Sequence, residues 1–386
     1  LNGQEITCTQ GSIPGIKVEK IQADYSLVCS SVKLNMDAAD CVKGHDMDND
    51  DQITVRISAP TDAAGAFYSI ETNTVNGVSF KGAGFLTGGV QNVTLTGVGK
   101  IDKTGLFTYT ITCNNSSNQS CTVDMSVTYN QIIKIKTFSQ DNDWGLVGDN
   151  RAPALIAKNK ELFGLDVDKN AVLPLSQNSL VFAHNSSSNP SDTEDYNDVA
   201  LVLIGYNVSL SKTAMEHLFE YVKQGGVAFI CCENNNLKSM INYIPNSNVT
   251  VEDAPNPGNG TKPSLNGLVP LVGNSPAVRG YYDLKGKNLS RNGGDQRNIT
   301  SYSSAWEMVA GIGSYARLIK HTQYDLYIGG DGGMLSGSAS NDPARVDAQG
   351  IPQISGTNNS TTGGYNSFVL ANVMLYAVQK YINAHP

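Results

Sequence analysis

Charge is scarce in this sequence. Only 16% of its 386 residues are Asp, Glu, Lys or Arg, against about 25% in an ordinary soluble domain. The charge present is unbalanced, formally −8 at pH 7, which argues against a general affinity for nucleic acid or an anionic membrane. No apolar run approaches the roughly 20 residues of a membrane-spanning helix. The longest, Val199 to Tyr206, is strand-sized. No two cysteines have C-x-x-C spacing, so a zinc ribbon is not expected. The first residues, LNGQEITCTQ, lack the charged start and apolar segment of a secretory leader, and a mature or excised chain is expected. What remains is 40% hydrophobic, enough for the cores of two domains. The surface must come from Asn, Ser, Thr, Gln and Gly, a composition common outside the cell.

The first 130 or so residues read as all-β. In GLFTYTITC, Phe107, Tyr109, Ile111 and Cys113 alternate with polar residues. In CTVDMSVTY, Cys121, Val123, Met125, Val127 and Tyr129 do the same. This period of two is the pattern of half-buried strands. Both cysteines fall on the apolar parity at the rims of one hairpin loop, within disulfide reach. A Cys113–Cys121 disulfide is therefore expected, and with it an oxidising, extracellular or cell-surface location. Seven cysteines are an odd number, and the pairing of Cys8, Cys29 and Cys41 stays open. QITVRIS, AFYSIET, VSFKGAGF and NVTLTGV add short strands between Gly-, Asn- and Asp-rich turns. Strands at this spacing predict a β-sandwich over residues 1–130. The layout resembles the immunoglobulin-like spacer modules of bacterial surface proteins.

Near Gln131 the pattern changes. IIKIKTF, SLVFAH, DVALVLIGY and GVAFICCE read as strands. RAPALIAKNKELFG reads as one helix, opened by Pro153 and closed by Gly164. In SLSKTAMEHLFEYVKQGG, Met215, Leu218, Phe219 and Val222 lie at i, i+3, i+4 and i+7, with Gly225 placed to end the helix. NSFVLANVMLYAVQKYI predicts a buried C-terminal helix. The alternation predicts an α/β three-layer domain over 131–386 with a mostly parallel sheet.

That order of elements resembles the class I glutamine amidotransferase-like fold, a flavodoxin-like relative. In catalytic members a Gly-x-Cys-x-Gly elbow follows the strand corresponding to GGVAFICCE, and Cys231 occupies the family's cysteine position. The resemblance would make Cys231 a nucleophile at a helix N-terminus. Phe229 and Glu233 stand where the elbow has glycines, and none of the five histidines has Glu two residues on. A degenerate site, with Cys231 as a structural thiol, is the expectation.

Three other groups are candidates. Asp46, Asp48, Asp50 and Asp51 have calcium-loop spacing, without the EF-hand glycine and final glutamate. The alternative is a solvated acidic turn. GGDGG, at 329–333, follows a strand and places Asp331 at a sheet edge. With Asp141, Asp143 and Trp144, and with His184 after another strand, it could form a binding rim beyond the strand ends. Glu194 and Asp195 add carboxylates for the alternative of an extracellular hydrolase. Asn-x-Ser/Thr sequons include Asn92, Asn115, Asn207, Asn248, Asn259, Asn288 and Asn298. The expected function is a secreted or surface-anchored binding or adhesion module, without enzymatic activity, whose partner is a glycan or host protein. A structural subunit of a surface assembly is a third reading. No cofactor is expected beyond structural calcium.

Overall fold

The computed structural model describes residues 24–113, 119–140, 145–164, 171–175, 179–186, 189–232, 234–245, 247–253, 267–290, 297–337, 343–355 and 363–385. The chain divides into two compact units. One comprises Leu1–Asp102 and Phe107–Met125, the other Lys103–Leu106 and Ser126–Pro386.

The first unit is built on β1 (Ser26–Asn35), β2 (Gln52–Ala59), β3 (Phe67–Thr72), β4 (Val78–Phe85), β5 (Gly89–Gly99), β6 (Gly105–Cys113) and β7 (Ser120–Val127). They form one sheet in the order β1-β2-β5-β4-β3-β6-β7. The period-two reading holds along each strand: Ile53, Val55 and Ile57 of β2, Val93 and Leu95 of β5, and Tyr109 and Ile111 of β6 are all buried. The predicted immunoglobulin-like sandwich is not what forms. Alternation fixes that one face is buried, but not whether it packs on a second sheet or on itself. Here a single sheet curls until its two ends meet. Leu27 N of β1 donates to Gln119 Oε1 beside β7 at 3.0 Å. A disulfide then joins Cys29 to Cys121 across the seam, with Cα atoms 5.2 Å apart.

That bond corrects the expected Cys113–Cys121 pair. Cys113 takes no part in it, and its Sγ lies 3.7 Å from the Gln119 carbonyl oxygen. The hairpin offered Cys121 a partner on β6. Closure of the sheet brought another on β1, which is 92 residues away and invisible to local spacing. Cys41 is free, with its thiol pushed up to about 11 by burial and by Asp51, Asp40 and Asp37. Cys8 lies outside the described residues.

The second unit contains β8 (Ile133–Ser139), α1 (Ala152–Ala157), α2 (Lys160–Phe163), β9 (Leu180–Ser186), β10 (Val199–Ile204), α3 (Lys212–Lys223), β11 (Val227–Cys231), α4 (Asn234–Asn242) and β12 (Thr250–Asp253). It continues with β13 (Val269–Pro270), β14 (Asn288–Leu289), β15 (Arg297–Ser301), β16 (Trp306–Ile312), β17 (Tyr315–His321), β18 (Leu326–Gly329) and α5 (Asn366–Ala384). Its main sheet runs β12-β15-β17-β18-β11-β10-β8-β9, with β16 paired to β17. The expected mostly parallel α/β domain is corrected: this sheet is mixed. β9, β8, β10, β11 and β18 pair in parallel. β17 pairs antiparallel with β18, β16 and β15, and β15 with β12. The cause is connection length. β16–β17 and β17–β18 are joined by tight turns, and a parallel neighbour needs a crossover of a dozen residues or more.

The central strands are covered on both faces, as their unbroken apolar runs require. All six residues of β10 are buried. Ile135, Leu203, Phe229 and Tyr327 pack with α1 and α5, whereas Phe138, Val202, Ile230 and Ile328 pack with α3 and α4. Helix α3 follows its periodicity closely. Ser211 Oγ caps it by accepting from Ala214 N at 3.0 Å, Met215, Leu218, Phe219 and Val222 are buried, and Gly225 follows with φ +106°. The single helix expected from Arg151 is instead two short ones. Asn159 interrupts it, and its Oδ1 accepts from Glu161 N (2.9 Å) and Leu162 N (3.3 Å), starting α2 afresh.

One charged cluster ties α5 to the sheet. Asp325 Oδ2 accepts from Lys380 Nζ at 2.6 Å and Tyr376 Oη at 2.9 Å, while Lys320 Nζ is 3.3 Å from Oδ1. Burial pushes the Asp325 carboxyl up, but the hydrogen bonds from Lys380 and Tyr376 and the two ammonium charges outweigh it and hold it below the ordinary 3.8. A lowered folded value means the contribution is complete above the unfolded pKa and is lost as pH falls through the folded one. Denaturation titrations taken down through about pH 3 should therefore show an acid loss in the wild type that Asp325→Asn removes. Identical acid limbs for the two proteins would refute this assignment.

Candidate functional site

The parallel strands β8, β10, β11 and β18 end together, and their C-terminal ends collect Ser139, Gly205, Cys231, Cys232 and the 329–333 glycine run. In open α/β sheets this is where ligands usually sit. Among the described residues here, the cysteines are buried. Cys231 is wholly buried. Burial pushes its thiol well above the usual range, with Cys232 and Asp331 adding to the shift. Cys232 is also buried, with Sγ 3.7 Å from the Val208 carbonyl oxygen and 3.9 Å from that of Gly205. A Cβ at Gly329 would lie 2.5 Å from Met334 Cε, the far end of a flexible side chain, and 3.7 Å from Cys231 Sγ.

Phe229 stands where an elbow has glycine. It is fully buried and stacks on Tyr327 of β18, with ring centroids 5.3 Å apart and planes at 10°. A large ring here holds β11 in regular register with β10 and β18, where an elbow needs glycine and a sharp turn.

Asp331 is buried, and its Oδ2 lies 3.5 Å from Arg317 Nη1, itself 1% exposed. Its Oδ1 accepts from Gly333 N at 3.2 Å. The carboxylate thus faces an internal guanidinium and its own turn. Glu194 pairs with Lys136, each side chain 14% exposed, and Asp195 Oδ1 accepts from Asn197 N at 2.9 Å. His184 ends up opposite Thr137 of β8; its side chain lies outside the described residues, as do Asp141, Asp143, Trp144 and Glu233. Of the remaining histidines, His217 packs its ring 5.4 Å from Tyr196. His321 Nδ1 accepts from the backbone N–H groups of Gln323 and Tyr324, and burial together with Lys320 lowers its pKa.

The acidic loop of the first unit is held by its own hydrogen bonds. Asp51 Oδ2 contacts His45 Nε2 and accepts from Asp48 N, both at 2.8 Å. Asp48 Oδ1 accepts from Asp50 N at 2.8 Å, and Asp46 pairs with Lys100 at 3.3 Å. Among the described residues no three His, Cys, Asp or Glu side chains gather as a metal-binding group.

An open cavity lies elsewhere in the second unit, between residues 272–284 and α5. It measures about 380 Å³, inside the range of small-molecule sites. Val172, Leu173, Pro276 and Leu375 supply apolar wall, and Arg279 and Tyr281 stand at it. The segment is fixed from below by Asn372, which is 1% exposed in α5. Its Nδ2 donates to Ala277 O (3.2 Å) and Tyr282 O (2.8 Å), and its Oδ1 accepts from Tyr282 N (2.8 Å). Gly280 allows this approach, since a Cβ would lie 2.6 Å from the Asn372 amide carbon. Tyr282 turns in against Phe368, whereas Tyr281 is left 55% exposed. Sequence reading missed this place. The available signal was Asn372 itself, a polar residue within the apolar stretch FVLANVMLYAV, which has to find partners when buried.

No protein-family model matches the sequence, and no curated protein is similar to it. Among solved structures, the chain is similar to a ThuA-like protein from Bacteroides uniformis, at 10% identity and a TM-score of 0.32, over 64% of this chain and 92% of that one. That neighbour has a glutamine amidotransferase-like fold. The chain is also similar to alpha-L-fucosidase isoenzyme 2 from Paenibacillus thiaminolyticus (10% identity, TM-score 0.25, 67% of this chain and 34% of that one). A GH5 xyloglucanase from Bacteroides ovatus follows at 14% identity and a TM-score of 0.18, over 57% of this chain and 50% of that one. The chain thus spans about a third and a half of the lengths of these two enzymes. Likenesses of this size fix neither residues nor activity. No helix among the described residues is long and apolar enough to cross a membrane.

Proposed function

We propose that this chain is a non-enzymatic binding module that works outside the cytoplasm, with a protein or glycan at a cell surface as its ligand. The observation that carries the reading is the state of Cys231. The one position that corresponds to a known nucleophile is sealed in the core, with burial favouring the neutral thiol over the reactive thiolate. Of the carboxylates a hydrolase could use, Asp331 faces buried Arg317 and Glu194 pairs with part-buried Lys136, while Asp141 and Asp143 lie outside the described residues and Asp195 is exposed. The Cys29–Cys121 disulfide supports an oxidising location.

The test is peptide-mapped alkylation of the native, unreduced protein with iodoacetamide from acid to mildly alkaline pH. Cys231 should stay unlabelled until the protein is denatured. Rapid labelling of Cys231 below neutral pH would reveal an accessible thiolate, and the enzyme reading would replace this one.

A further inference from the structure

The cavity between residues 272–284 and α5 carries an inference about what is bound, and it rests on the binding reading above. Several polar groups around it have partners within the protein. Asn274 Oδ1 accepts from Lys285 Nζ at 3.3 Å. Arg279 Nη1 is 2.5 Å from Asp283 Oδ2. Tyr376 Oη donates to Asp325, and Gln379 Nε2 donates to Asn383 Oδ1 at 3.0 Å. Asn372 spends both ends of its amide on the backbone beneath Tyr281.

A ligand rich in hydroxyls needs one partner for nearly every group it desolvates, because a buried polar group left unpaired is costly. Val172, Leu173, Pro276 and Leu375 offer it none. At the rim Arg279 pairs with Asp283. What the site does present is aliphatic wall from Val172, Leu173, Pro276 and Leu375 and one exposed ring, Tyr281. That ring stands on a segment that Asn372 pins, so little ordering is left to offset on binding.

We infer that this cavity is a ligand site for an uncharged, largely apolar molecule of one or two rings, seated against Tyr281. The apolar wall favours such a ring over a sugar, so within the binding reading above this site points to the protein rather than the glycan alternative.

The test is saturation-transfer NMR and titration on the full chain, with indole as the apolar probe and methyl α-glucopyranoside as the sugar probe. Tyr281→Ala and Val172→Glu serve as variants, because both side chains are solvent-exposed and neither should unfold the chain; a thermal melt checks this. Indole should receive saturation in the wild type and bind at least about fivefold more weakly in each variant, the size expected for losing one aromatic contact. The glucoside should receive none. Indole binding that is absent, or unchanged in both variants, overturns the assignment. So does glucoside binding that depends on Tyr281. Any of these would leave the reading from Cys231 standing, because labelling of that thiol is measured independently.

Discussion

Replacing Cys121 with serine is expected to destabilise the first unit by about 2–5 kcal/mol. The disulfide it removes spans 92 residues of sequence, and in the chain-entropy picture a loop of that order restricts the unfolded state by several kcal/mol. It also holds the seam where β1 meets β7, so its loss opens both edges of a curled sheet. Urea denaturation of wild type and Cys121→Ser, each with and without dithiothreitol, measures this. The reduced wild type should match the variant, and the variant should not respond to reductant. Cys29→Ser differs in one respect: it frees Cys121 beside Cys113, the partner that hairpin spacing favours. Peptide mapping of the wild type should recover Cys29 and Cys121 linked. A Cys113–Cys121 peptide in its place, or no stability change on reduction, would contradict the seam.

Phe229→Ala should cost the second unit about 3–5 kcal/mol, the usual range for truncating a fully buried ring. The side chain is inaccessible and lies flat on Tyr327, so the cavity left behind has a rigid wall that cannot collapse easily. The experiment bears on function as well as packing. If position 229 were part of a nucleophile turn, a small residue would relieve strain and the substitution would be neutral or stabilising. Chemical denaturation decides between these outcomes, and a loss below about 1 kcal/mol would mean that the ring is not a core element.

Local pattern and tertiary structure part company at the disulfide. Spacing points to Cys113 and Cys121, because a hairpin brings its own rims together. Cys29 reached Cys121 only because the sheet curled. At Cys231 the sequence departs from the family pattern at Phe229, and the thiol is buried.

The sequence by itself determined the local grammar of this protein. Alternation placed Ile53, Val55, Tyr109 and Ile111 inside, and the i, i+3, i+4, i+7 spacing placed Met215, Leu218, Phe219 and Val222 on one face of α3. An unbroken apolar run announced that β10 is covered on both sides. These features depend on side-chain periodicity, which every residue carries with it. The tertiary structure alone decided that the first sheet closes on itself, that Cys29 supplies the disulfide, that the later strands return antiparallel, and that Asn372 and Tyr281 frame a cavity. Each of these depends on contacts between segments far apart in the chain. Their geometry is set by how whole elements curl and pack, and a local pattern holds no record of it.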